Sequence, residues 1–156
     1  MKASEALQKE IDKARGDIRT DGYSMSIGEW ASMYEKGELD IHPEFQRFFR
    51  WTNIQKSRLI ESILLGIPIP QIFVSQRKDG IWDVVDGLQR LSTIFQLLGI
   101  LKGENGAIES PLTLEGTSYL PKLHGFSWDG AKSLSMPQKL MPPILSQVFR
   151  VGRYGA

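Results

Sequence analysis

Trp82-Asp83-Val84-Val85-Asp86-Gly87-Leu88-Gln89-Arg90-Leu91-Ser92-Thr93 reads as a short strand that turns through Asp-Gly directly into a helix. Such a junction suits an anion. The first amides of a helix have no intrahelical partner and carry the positive end of its dipole, so a phosphate placed there meets ready-made donors. Gly87 lets the backbone approach closely, and Arg90, about one turn into the helix, adds a guanidinium that can bind two oxygens at once. The plainer reading of the same residues is a common turn followed by a solvated polar pair.

The elements on either side of this stretch follow from pattern. Spacing predicts a first, surface-lying helix over 4–14, with Leu7, Ile11 and Ala14 on one stripe. Ser26 and Glu29 form a capping-box pattern for a helix with Ile27, Trp30, Ala31 and Tyr34 turned inward, closed by Gly37. Leu39 and Ile41 begin an extended segment, broken at His42-Pro43, and an aromatic and basic stretch follows from Phe45 to Trp51. Thr52 and Gln55 open another helix, with Ile54, Leu59, Ile60, Ile63 and Leu64 apolar and Gly66 at its end. Pro68 and Pro70 forbid its continuation and lead into a strand at 71–74. Lys78-Asp79-Gly80 turns that strand into the next, at 81–85. The helix after Gly87 is expected to run over 88–101 and stop near Gly103. Beyond it the signals thin to a helix within 135–147 and an extended piece, 148–151, with no later element to pair with it.

Composition narrows the classes. At 156 residues the chain has the length of one ordinary domain, which buries roughly two-thirds of its unfolded surface. The absence of cysteine removes disulfides, thiolate metal sites and thiol catalysis. Nineteen basic against 18 acidic residues give a net charge of +1, so no bulk field draws the chain to nucleic acid. No apolar run nears the roughly 18 to 20 residues that span a bilayer, and the opening residues lack a signal-peptide core; the expectation is a cytoplasmic protein with no membrane partner.

Several fragments occur in a fixed order: Pro43-Glu44-Phe45-Gln46-Arg47, then Arg58-Leu59-Ile60-Glu61-Ser62-Ile63, then Gly66 with Pro68 and Pro70, then Asp86-Gly87-Leu88-Gln89-Arg90. Together, over 41–97, they resemble the DGQQR-motif domain at the front of GmrSD-type restriction and phage-defence proteins. The same order resembles the ParB/sulfiredoxin superfamily, in which such elements build a nucleotide pocket. The resemblance implies an α+β fold, a short mixed sheet with flanking helices. It also implies binding, with hydrolysis, of a nucleoside triphosphate (ATP, GTP or CTP) together with Mg2+. The DNA-cutting nuclease would be a separate domain or subunit, and DNA a partner.

Carried over by position, Asp86, Gly87, Gln89 and Arg90 match the signature, and Gln46 and Arg47 match the family's upstream Gln-Arg. Leu88 stands where the motif has one of its two glutamines. The resemblance also implies further pocket elements beyond this span. The expected organisation is therefore an N-terminal helix and linker at 1–20 and a ParB-like nucleotide-binding domain at 21–156, incomplete at its C-terminal end.

Triphosphate chemistry is mostly positioning and charge neutralisation. On that basis Asp86 would hold Mg2+, Gln89 would orient the attacking water, and Arg90, Gly87, Gln46 and Arg47 would hold the nucleotide. The same residues have structural readings: Asp86 as a helix N-cap, Arg90 paired with Asp86 or Glu61, Gln89 as an exposed helix residue, and Gln46 and Arg47 at a strand end. Phe48, Phe49 and Trp51, interleaved with Arg47 and Arg50, would stack bases or single-stranded nucleic acid, or else belong to the core. Asp83 should point away from Val84, which separates it from Asp86 as a paired carboxylate. His42 and His124, the only histidines, stand in unrelated contexts, and no nuclease constellation is visible.

Overall fold

The hairpin built by Gly80 is the spine of the sheet. The structure, a computed structural model, describes residues 2–17, 19–46, 50–135 and 147–153. Strands β3 (Ile72–Gln76) and β4 (Trp82–Asp86) pair antiparallel, and the turn between them closes with Gly80 N donating to Arg77 O and Arg77 N to Ile81 O. Gly80 has φ +87, the left-handed conformation that glycine adopts without a Cβ penalty. Three further strands complete a five-stranded mixed sheet in the order β1-β5-β3-β4-β2, where β1 is Arg19–Met25, β2 Leu39–Asp40 and β5 Gln147–Arg153. β2 runs parallel to β4, and β5 lies between β1, antiparallel, and β3, parallel.

Five α-helices are described: α1 (Ala3–Asp17), α2 (Ile27–Glu35), α3 (Pro43–Gln46), α4 (Asn53–Leu65) and α5 (Leu88–Leu98). The α+β class and the small mixed sheet agree with the sequence. Both capping boxes form: Ser26 Oγ accepts from Glu29 N at 3.0 Å, and Thr52 Oγ1 from Gln55 N at 3.3 Å, with each N3 side chain reaching back to its cap backbone. Each replaces amide partners that a helix start lacks, worth about 1 kcal/mol. Gly66, at φ +72, ends α4 as its position predicts.

The core lies where α2, α4 and α5 cover the sheet. Trp30, Ile60, Ile63, Ile72, Leu91 and Phe95 are essentially inaccessible. Tyr34 stacks on Phe95 with centroids 4.4 Å apart, and Trp30 meets Trp82 edge-on at 6.2 Å. α1 lies outside this core, the side chains over 3–16 exposed apart from the half-exposed Ile11.

The structure corrects four sequence expectations. Residues 19–25 form strand β1, although their polarity and Gly22 gave no alternating apolar signal. Pro43 starts a one-turn helix where His42-Pro43 reads as a break, so Gln46 ends a helix and not a strand; a proline in the first helical position loses no needed hydrogen bond. α5 ends at Gly99, φ +78, four residues before Gly103, and Leu101 beyond the cap turns into the core. The extended piece near 148–151 does have partners, since β5 is flanked on both sides. The helix expected within 135–147 falls almost entirely outside the described residues.

Between α5 and residue 135 the chain has one 3-10 turn, Pro121–Leu123, and two isolated β-bridges, Lys102 with Ile108 and Ser127 with Ser133, and otherwise follows irregular backbone. Helix side chains hold it down. Ser57 Oγ accepts from Glu115 N at 2.9 Å, the buried Glu61 carboxylate accepts from Tyr119 N at 3.0 Å, and Gln96 Nε2 donates to Ser110 O at 3.1 Å. Leu112, Leu114, Leu123 and Leu134 are thereby brought into the core.

Candidate functional site

The signature straddles the end of β4 and the start of α5, and a bulge decides how it is displayed. Val74 pairs with Val84 but Phe73 with Asp86, so β4 carries one extra residue and its in-out alternation breaks. Val84 is buried, whereas Val85 and Asp86 are both exposed. Gly87, not Asp86, is the N-cap of α5. It has φ +101 and no side chain caps the helix, so the N-cap reading of Asp86 is replaced. A Cβ on Gly87 would lie 2.9 Å from Ile72 Cγ1 and 3.1 Å from Arg90 Nη2. The bend is therefore packed on its inner side, and only glycine fits there.

Arg90 folds back over this bend. Its side chain is 14% exposed, Nη2 donates to Gln71 O at 3.0 Å, and the same nitrogen lies 3.7 Å from Asp86 Oδ2. Its Nε is buried and without a hydrogen-bond partner among the described residues. The predicted pairing of Arg90 with Asp86 thus forms, while Glu61 is engaged instead with Tyr119 N.

Gln89, one position earlier on the helix, turns to a different face. Its Oε1 accepts from Trp51 N at 3.2 Å, fixing the segment that leads into α4. Gln46, the upstream glutamine, is buried and donates to Ile41 O at 3.4 Å. Gln46 and Gln89 line one small cavity of about 10 Å3, room for a single water, with Arg50, Lys56, Ser92 and Gln96. Lys56 Nζ donates to Gln96 Oε1 there, and partial burial lowers the Lys56 pKa from its ordinary value, with Arg50 adding to the shift and Glu109 opposing it.

The structure therefore gathers the site residues in two groups: Asp86, Gly87 and Arg90 at the bend, and Gln46 with Gln89 on the neighbouring face. Arg47, with Phe48 and Phe49, lies outside the described residues. Trp51 is half-buried and packs against the core, in keeping with its structural reading. An apolar cleft of about 450 Å3 opens elsewhere, between Leu64, Leu120, Leu123, Phe126 and Leu134. It contains none of the signature residues.

One cluster went unread in the sequence. His42 Nε2 lies 2.9 Å from Asp83 Oδ1 and Nδ1 lies 3.1 Å from Glu44 Oε1, with Asp40 Oδ1 3.7 Å away. Partial burial disfavours the charged ring, but the bond to Glu44 and the charges of Asp40 and Asp83 outweigh it and raise the His42 pKa. Asp83 does point away from Val84, as alternation requires, and the Asp40-x-His42 spacing at a strand end was the only local hint of the cluster.

Against known families, the description GmrSD restriction endonuclease, N-terminal domain, matches residues 27–138, well over half of the chain. The chain belongs to this family. As a GmrSD N-terminal domain it is the front domain of a restriction and defence protein, and the matched span contains α2 through α5 together with the strand-to-helix junction. No curated protein and no solved structure matches the chain. Among the described residues of this GmrSD domain, no helix is long and apolar enough to cross a membrane.

Proposed function

We propose that this domain binds a nucleoside triphosphate, with the phosphates held at the Asp86–Arg90 junction, and hydrolyses it to govern a nuclease carried on a separate domain or subunit. One observation carries the reading. A mostly buried guanidinium with an unpartnered Nε stands over a glycine-capped helix start that no side chain caps. Burial strengthens a charge-assisted hydrogen bond to phosphate, and the open amides supply further donors.

Asp86 bears on the cofactor. A carboxylate beside Arg90 repels a polyphosphate unless a cation lies between them, so Asp86 is assigned to Mg2+, directly or through water. Gln89 is assigned to ordering the attacking water, held in place by its bond to Trp51 N. Gln46 supports it from across the shared cavity.

The direct test is calorimetric titration of ATP, GTP and CTP with Mg2+ into the parent protein and Arg90→Lys, which keeps the charge but loses the planar fork. The expected result is saturable binding of at least one triphosphate, weakened tenfold or more by the substitution. Absence of binding by all three contradicts the proposal. Salt-sensitive binding of DNA in their place would reassign the junction to a nucleic-acid backbone.

A further inference from the structure

We propose that Asp40, His42 and Asp83 form a binding site for one divalent first-row transition ion of the Zn2+ class, separate from the Asp86–Arg90 junction. Topology places the carboxylates. β2 runs parallel to β4 with Asp40 opposite Asp83, so both side chains leave the sheet on one face. Beyond β2 the chain bends at His42, which has φ +48, and the imidazole returns over the same face. One ligand atom from each of the three residues lies within 4.8 Å of the other two. The side chains are 25%, 27% and 31% exposed for His42, Asp83 and Asp40, a cup open to water on one side.

In one tautomer of His42 the hydrogen bonds leave a place for a cation in this cup. A neutral imidazole has one N–H and one lone pair. If the N–H is Nδ1–H, donated to Glu44 Oε1 at 3.1 Å, Nε2 turns its lone pair toward a carboxylate oxygen 2.9 Å away. In that tautomer two acceptors face each other, and a metal ion between them, like a second ring proton, satisfies both. A metal-bound histidine is ordinarily oriented in this way, with its far nitrogen on a carboxylate.

Imidazole with two carboxylates suits Zn2+ and its neighbours better than Mg2+, which prefers an all-oxygen shell, and it leaves positions for water. Arg77 is the competing charge. Its Nη1 lies 3.5 Å from Asp40 Oδ2 and 3.6 Å from Asp83 Oδ1, while its Nε lies 3.7 Å from Asp79 Oδ1, a carboxylate that can retain the guanidinium when an ion enters.

The chain has two histidines and no cysteine, so His42 and His124 are its only strong nitrogen or sulfur ligands for zinc. The test is calorimetric titration of ZnCl2 into untagged protein at about pH 8, where neutral imidazole is available. It is run on the parent, His42→Gln, Asp83→Asn, Asp40→Asn, Arg77→Gln and His124→Gln, with circular dichroism to verify each fold. The expected result is one saturable site per chain, weakened at least tenfold by His42→Gln and by Asp83→Asn or Asp40→Asn. Arg77→Gln should bind at least as tightly as the parent, and His124→Gln should match it. MgCl2 should produce no comparable isotherm. No saturable Zn2+ binding, parent-like affinity in the His42 and Asp83 variants, loss of binding in His124→Gln, or weaker binding in Arg77→Gln would each overturn the proposal.

Discussion

Gly87 combines two demands that no other residue meets, a left-handed φ and an inner surface already in contact with Ile72 and the Arg90 guanidinium. Gly87→Ala should therefore cost about 2 to 4 kcal/mol, the sum of backbone strain and a clash in a filled space, as read by urea unfolding. A loss below about 0.5 kcal/mol would mean that the bend relaxes freely. Leu88 packs partly buried against the core. Leu88→Gln should lower stability by about 1 kcal/mol through lost apolar burial, without restoring any contact this chain makes. Asp86-Gly87 and Arg90 were legible because a turn followed by a helical stripe is a local pattern. The exposure of Asp86 was not, because the bulge that turns it outward arises from pairing with Phe73. The His42 cluster was hidden for a similar reason, since Asp83 lies 41 residues away and meets the ring only through the β2–β4 pairing.

At the level of the element, helix starts were read most reliably, because a capping box is complete within four residues. Ser26→Ala and Thr52→Ala should each destabilise by about 1 kcal/mol in thermal or urea unfolding. Helix ends were harder where punctuation repeats: Gly99 and Gly103 both offer a stop, and packing of Leu101 selected the first. α4 does more than fill the core. The buried Glu61 carboxylate holds the Tyr119 amide. Glu61→Ala should leave that amide without an acceptor and cost about 1 to 3 kcal/mol, whereas Glu61→Gln retains an acceptor oxygen and should cost less. Equal losses in the two variants would show that the amide finds water instead. No periodicity announces the irregular 100–135 segment, whose anchors include single side chains on α2, α4 and α5.

For the whole molecule, the partnership of β1 with β5 joins residues more than 120 positions apart, and both strands lie outside the span matched by the family. Neither shows strong alternation, so only the assembled sheet reveals β5 as an interior strand between β1 and β3. A chain ending at residue 146 should leave β3 with an open edge and melt at a lower temperature over a broader range, as followed by circular dichroism. An unchanged, sharp transition would show that β5 contributes nothing to cooperativity. Whether the junction that this sheet presents holds a triphosphate is read by thermal shift with Mg2+ and each of ATP, GTP and CTP. A ligand that binds only the folded protein must raise its midpoint. We predict a concentration-dependent rise with at least one triphosphate, moved to at least tenfold higher concentration in Arg90→Lys. No rise with any of them, or an equal rise in that variant, would show that the Asp86–Arg90 junction holds no triphosphate.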